Sequence, residues 1–165
     1  MFRAMRRYKQ QLSQAECIEI LQRNPTGVLA LSGDDGYPYA LPVNFAWKDG
    51  KILFHCAKVG HKIDAIKRNE KVSVCVVDAD EVVAEKLTTA YRSVIVFGRA
   101  RILTDDEEIK ESARAVGRKF SGDYPAQIED EIVKYWDGLC CVEITAEHIT
   151  GKEGKEMQRR RSEMK

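Results

Sequence analysis

The sequence predicts an α+β fold in which about six antiparallel strands form a small barrel with flanking helices. Three observations carry that prediction. Residues 37–47 alternate strictly: Tyr37, Tyr39, Leu41, Val43, Phe45 and Trp47 are large and apolar, whereas Pro38, Ala40, Pro42, Asn44 and Ala46 are small or polar. Residues 71–77 are rich in valine and alternate Val72, Val74 and Val76 against Ser73 and Cys75. Most strand patterns are joined by short turns, with too few helical crossovers for a doubly wound parallel sheet.

The elements follow in order. Ser13-x-x-Glu16 is a capping-box signature and predicts a helix over 14–23, ended by Asn24-Pro25. Residues 27–31 read as a strand, and Ser32-Gly-Asp-Asp-Gly36 as a hairpin turn into the long strand 37–47. Pro38 and Pro42 share one face of that strand and cannot donate to a ladder, so the strand has an edge-like side. Asp49-Gly50 bounds a short apolar strand over 51–57. Residues 78–89 form a polar connection without a pattern. Residues 91–103 are another long strand, with Gly98 marking a bulge or tight bend. Thr104-x-x-Glu107 is a second capping box and opens a helix to about Phe120. A short helix over 127–134 and a strand over 139–144 complete the barrel. The tail from Gly151 mixes basic and acidic residues and reads as solvated and frayed, which divides the chain into a domain over 1–150 and a charged tail over 151–165.

Composition bounds the function. At 165 residues the chain makes one domain with a real core, and its 32% charged and 44% hydrophobic residues are ordinary for a soluble protein. A net charge of +1 gives no reason to expect a nucleic-acid partner, and no apolar run reaches the length of a membrane span. The basic start is followed by Gln10, Gln11, Ser13 and Gln14, so a secretory signal is not expected. The cysteines at 17, 56, 75, 140 and 141 are odd in number and include no C-x-x-C. They fit reduced thiols acting as small hydrophobes in a cytoplasm.

The chemistry concentrates in residues 51–77, a strand, a turn ending at Gly60, a short helix with Ile63 and Ile66 on one face, and a second strand. Amides at the start of that helix and the charge of Lys62 suit a phosphate. The open backbone beside Pro42 suits a planar heterocycle. His55 and His61 bracket the turn, but Cys56, His148 and Asp64 supply no third ligand at a metal-binding spacing, so no metal is expected. A Cys56–His55 dyad fails because neighbours on a strand face opposite ways, and Ser93 has no visible base. His61 is the candidate functional histidine because it lies in the turn.

Several segments together resemble one family. They are Gly27-Val-Leu-Ala, Asp35-Gly-Tyr-Pro-Tyr-Ala-Leu-Pro42, Phe54-His-Cys-Ala57, Gly60-His-Lys62, Tyr91-x-Ser-Val-Ile-Val-Phe-Gly-Arg-Ala100 and Ile149-Thr-Gly-Lys152. In this order they resemble the nitroimidazole-resistance proteins, a branch of the pyridoxamine-phosphate-oxidase-like, FMN-binding split-barrel superfamily. The resemblance implies a six-stranded antiparallel split β-barrel that works as a homodimer with flavin sites at the subunit interface. It implies FMN as cofactor, with phosphate and ribityl chain around His55, Cys56, Ala57, Gly60, His61 and Lys62. The isoalloxazine would lie along Pro42, Val43, Asn44 and Phe45, and the second subunit would contribute from Tyr91–Ser93 and Trp136. Lys152, just past the last strand, joins the candidate cofactor residues. His61 matches the histidine that the resistance proteins use near cofactor or substrate. Cys56 stands where the family often has serine, which removes one phosphate hydroxyl. The arginine-containing substrate motif of pyridoxamine-phosphate oxidases has no equivalent after Trp136, which argues against a vitamin substrate.

The function expected is therefore an FMN-dependent reductase of small electrophiles, nitroaromatics among them, drawing electrons from NADH or NADPH. No G-x-G-x-x-G is present, so the nicotinamide would bind transiently over the flavin. The alternative of a different class is a flavin- or haem-binding carrier or sensor without turnover, in which His55 or His61 would be the axial ligand of a haem.

Overall fold

The computed structural model describes residues 1–163. Ser13 opens α1 (Gln14–Arg23) with both halves of the capping box. Its hydroxyl accepts the Glu16 amide at 3.2 Å, and the Glu16 carboxylate accepts the Ser13 amide at 2.7 Å. Next come β1 (Thr26–Ser32), β2 (Pro38–Asn44), β3 (Ala46–Lys48), β4 (Lys51–Ala57) and α2 (His61–Arg68). The chain continues through β5 (Lys71–Val83), β6 (Thr88–Ile102), α3 (Asp106–Ser121), α4 (Pro125–Lys134), β7 (Leu139–Glu153) and α5 (Lys155–Glu163).

The strands form one antiparallel sheet in the order β2-β1-β5-β6-β7-β4-β3. It has seven strands where six were expected, because the alternating stretch 37–47 does not stay in one ladder. Phe45 gives its amide to the Pro25 carbonyl at 3.2 Å and buries its ring completely. Burying a phenylalanine is worth about 1.5–3 kcal/mol, which offsets the ladder bond forgone there. On either side of Phe45, β2 pairs with β1 and β3 pairs with β4, at opposite edges of the sheet. The chain spans a gap that hydrogen bonds do not, and that is the split in the barrel. β2 is an edge strand, as its two prolines require.

The inward faces of the strands make the main core. Leu29, Val74, Val94, Val142 and Phe54 meet there, covered by α1 through Ile20 and by α2 through Ile63. Cys140 points into this core while Cys141 faces a second cluster under α3 and α4, the opposite-face arrangement that adjacent strand residues must take. At Gly98 the β6–β7 register shifts by one residue, and an added Cβ would run into the Thr145 carbonyl oxygen. The bulge marked by that glycine is present.

Three expectations need correction. Residues 78–89 are not a loop: β5 and β6 pair as a projecting hairpin as far as Val83 and Thr88, after a register shift between Val77 and Ala79. The hairpin's outer residues are largely exposed, so no alternation of burial announces it. The cap of α3 is Asp105, whose carboxylate accepts the Glu107 and Glu108 amides at 3.1 and 3.0 Å. A charged acceptor displaces the Thr104 box by one residue. The tail, as far as Glu163, is packed and not frayed. β7 runs past residue 150, and Glu153 is wholly buried with Arg92 at 3.2 Å and Arg161 at 2.7 Å. Arg160 holds Glu81 of the hairpin at 2.7 Å, and Arg161 reaches Glu16 of α1. Arg159 first, then Lys86, hold the Glu156 carboxyl down to about 2.

Candidate functional site

β4 and α2 are joined by a three-residue turn, 58–60, that ends at Gly60, whose φ of 126° lies in the region only glycine adopts without strain. A Cβ there would meet nothing within 4 Å, so the backbone is open to an approaching group. The Ile63 and Asp64 amides both bond to the Gly60 carbonyl, at 2.9 and 3.1 Å. The amides of His61 and Lys62, earlier in the turn, have no intrahelical partner by position. Among the described residues no carboxylate lies within 4.0 Å of the Lys62 ammonium.

The structure brings Lys62 to the end of β4. Partial burial first and the Lys62 ammonium second hold His55 below the ordinary histidine range. Burial first and Cys140 second, its cross-strand partner, push the Cys56 thiol up to about 12 against the pull of Lys62. At neutral pH Cys56 is therefore a thiol and no nucleophile. His55, Cys56 and Ala57 thus end β4, and Gly60, His61 and Lys62 follow across one short turn at the start of α2.

The His61 ring stacks on Tyr39 of β2 at 4.0 Å with an interplanar angle of 11°. Its Nε2 lies 3.3 Å from the carboxylate of Asp34, which also pairs with Arg68 at 2.6 Å. Neither Tyr39 nor Asp34 was singled out in the sequence. Their signal is present only as a turn and a strand position, and nothing local links them to residue 61. The stack carries the start of α2 to β2. Along β2, Pro42 and Asn44 are exposed, whereas Val43 and Phe45 are buried and can offer only backbone.

Two groups of candidate residues lie apart within one chain. Ser93 and Lys152 face each other across β6 and β7, and both are half-buried. Cys56 pairs with Cys140 near the other end of β7. From position 140 to position 152 the strand covers about 40 Å at about 3.3 Å per residue. Trp136 packs against the second core cluster, with the Lys110 ammonium 5.6 Å from its ring centre.

The outward face of the sheet joins these places. Cross-strand neighbours Pro42, Val28, Cys75, Ile95 and Thr150 make one row over five strands. Val28 and Phe97 on this face are 42% and 40% exposed, a broad weakly polar surface on strands that bury their other side. A cavity of about 780 Å³ lies between the end of β4 and the α3–α4 hairpin, and His55, Cys56 and Ala57 are among its lining. Its aromatic residues read in the sequence only as the end of a helix at Phe120, a loop position at Tyr124 and a position just past a helix at Tyr135. No helix among the described residues is long and apolar enough to cross a membrane.

Comparison with known proteins agrees with this architecture. The fold is similar to that of a conserved hypothetical protein from Mycobacterium tuberculosis, with a TM-score of 0.80 and 22% identity, covering 94% of this chain and 93% of that one. It is similar to an FAD-binding protein from Mesorhizobium loti, with a TM-score of 0.59 and 27% identity over 88% of this chain and 98% of that one. It is also similar to a candidate 5-nitroimidazole antibiotic resistance protein from Bacteroides thetaiotaomicron, with a TM-score of 0.70 and 17% identity over 87% and 86% of the two chains. No match was found among curated proteins. The family model for pyridoxamine 5'-phosphate oxidase matches residues 13–153, from the cap of α1 to the end of β7, and the chain belongs to that family.

Proposed function

We propose that the protein binds a flavin nucleotide and acts as an oxidoreductase of small electrophiles, nitroaromatics among them, with electrons from NADH or NADPH. FMN is the smallest nucleotide that meets the site. The observation that carries the reading is the Lys62 ammonium, without a carboxylate partner among the described residues, beside open amides at the start of α2. Similarity to an FAD-binding protein at 27% identity supports it. A bound flavin supplies two-electron transfer.

The chain's own residues supply binding and orientation. Lys62 and the His61 and Lys62 amides hold the phosphate, and Cys56 and Ala57 flank the ribityl chain. The free edge of β2 at Pro42–Asn44 offers main-chain groups to the ring, and the burial of Val43 and Phe45 keeps that edge rigid. His61, fixed by Tyr39 and Asp34, is the candidate for holding a proton beside the substrate.

Ser93 and Lys152 lie a strand's length from Lys62, so they complete a flavin site only from a second copy of the chain. A twofold homodimer across the outward sheet face, with Trp136 of the partner near the site, follows from this reading. Unpaired thiols suit a reducing cytoplasm. Purified protein mixed with FMN and freed of excess ligand should keep a bound-flavin absorbance that NADH or NADPH bleaches without oxygen. Protein that stays colourless with every flavin would overturn the proposal.

A further inference from the structure

We infer that residues 1–5 are a displaceable strap over the outward sheet face, and that a second copy of the chain must push them aside to complete the flavin site. This rests on the flavin reading above and names how that site is regulated.

The strap has a fixed base and a loose tip. Gln10 and Leu12 are buried, Gln11 bridges to Lys152, and the Leu12 amide donates to the Gly151 carbonyl at 2.9 Å. These contacts use the side of β7 that β4, whose pairing stops at Thr145, leaves free. Residues 1–5 form no helix or strand and turn back over the sheet. The Phe2 ring stacks on His148, with centroids 4.6 Å apart and an interplanar angle of 5°, and lies 5.5 Å from Phe97. Phe2 and Met5 line a cleft of about 420 Å³ together with Ser93, Ile95, Thr150 and Lys152. Phe97 pairs with His148, Ile95 with Thr150 and Ser93 with Lys152, so the segment covers three successive cross-strand pairs of one face.

Those are the pairs a second copy needs. Ile95 and Thr150 belong to the outward row, and Ser93 and Lys152 are the residues that would reach the other copy's flavin. One surface cannot carry both the strap and a partner chain. The strap's hold is small: Phe2 is still 42% exposed, and one ring buries far less apolar area than a facing sheet. Dimer formation needs two bare faces, so its apparent affinity falls with the square of the uncovered fraction. The strap thereby sets a protein concentration below which the site stays incomplete.

Sedimentation of the whole chain over a dilution series tests this, with FMN titrations at a concentration where the original protein is mainly monomer. Phe2→Ser, at an exposed position that does not threaten folding, should tighten the dimer at least about fivefold. Phe2→Trp, which keeps a ring over His148 and Phe97, should leave the dimer constant within about twofold. FMN should bind Phe2→Ser more tightly than the original protein at the low concentration, and both equally where both are dimers. A weaker dimer in Phe2→Ser would make residues 1–5 part of the interface and overturn the inference. An unchanged dimer constant, or an original dimer that dilution does not split, would overturn it too. Any of these outcomes with FMN bound would leave the flavin reading standing. A tightened dimer that binds no flavin would leave the strap as a control on assembly and overturn the flavin reading.

Discussion

The Lys119 ammonium lies 4.3 Å from the centre of the Phe45 ring, at the point where the long alternating stretch breaks into β2 and β3. The same ammonium donates to the Leu21 carbonyl at 3.3 Å and to the Asn24 carbonyl, which end α1. One side chain of α3 therefore closes a helix and covers the residue that splits the barrel. Cations are favoured at helix C-termini and over aromatic faces, but partial burial opposes the charge. Burial lowers the pKa of Lys119 to about 8.

Lys119→Met should cost about 1–2 kcal/mol of stability at neutral pH, because two carbonyls lose a donor. The pH dependence has a defined sign. Between about 8 and the unperturbed value of 10.5, the folded state holds fewer protons at this position than the unfolded state. Stability contributed by Lys119 therefore rises with pH through that window. The difference between the original protein and Lys119→Met, followed by denaturant midpoints, should widen from pH 8 to pH 10. A difference that narrows would mean the lysine is better solvated than its contacts indicate.

Lys62→Ala should weaken FMN binding by about 1.5–3 kcal/mol, the range of a charge-assisted hydrogen bond, or roughly ten- to a hundredfold in Kd. Riboflavin, which lacks the phosphate, should bind weakly to the original protein and lose little further. Lys155→Ala, at the start of α5, should change neither titration. Full FMN affinity in Lys62→Ala would place the phosphate elsewhere.

Ile95 occupies the middle of the outward row, between Cys75 and Thr150, and its side chain is only half-buried in one chain. If two copies meet on this face, Ile95→Glu buries two opposed charges at the twofold axis and should shift sedimentation from dimer to monomer. Flavin affinity should fall with it, because Ser93 and Lys152 would no longer reach the partner's site. A dimer unaffected by Ile95→Glu would exclude this face.

What the sequence by itself determined is what local rules control. The capping box of Ser13 and Glu16, the valine alternation of β5, the edge character conferred by Pro38 and Pro42 and the bulge at Gly98 each depend on residues a few positions apart. The antiparallel α+β barrel and the cationic turn at Gly60–Lys62 were legible for the same reason. Tertiary structure alone decided the rest. Phe45 leaves its ladder for a carbonyl at Pro25 and a place in the core, and Lys119 reaches it from another helix. The charges of 151–163 match a solvated tail in composition, yet Glu153 is buried because Arg92 on a neighbouring strand and Arg161 on α5 neutralise it. His61 turns to Tyr39 and Asp34, and the cavity exists only where α3 and α4 fold over β4. A local window reports backbone preference and the side of an element that seeks burial, whereas burial of charge and the shape of a cavity depend on partners that only the folded chain supplies.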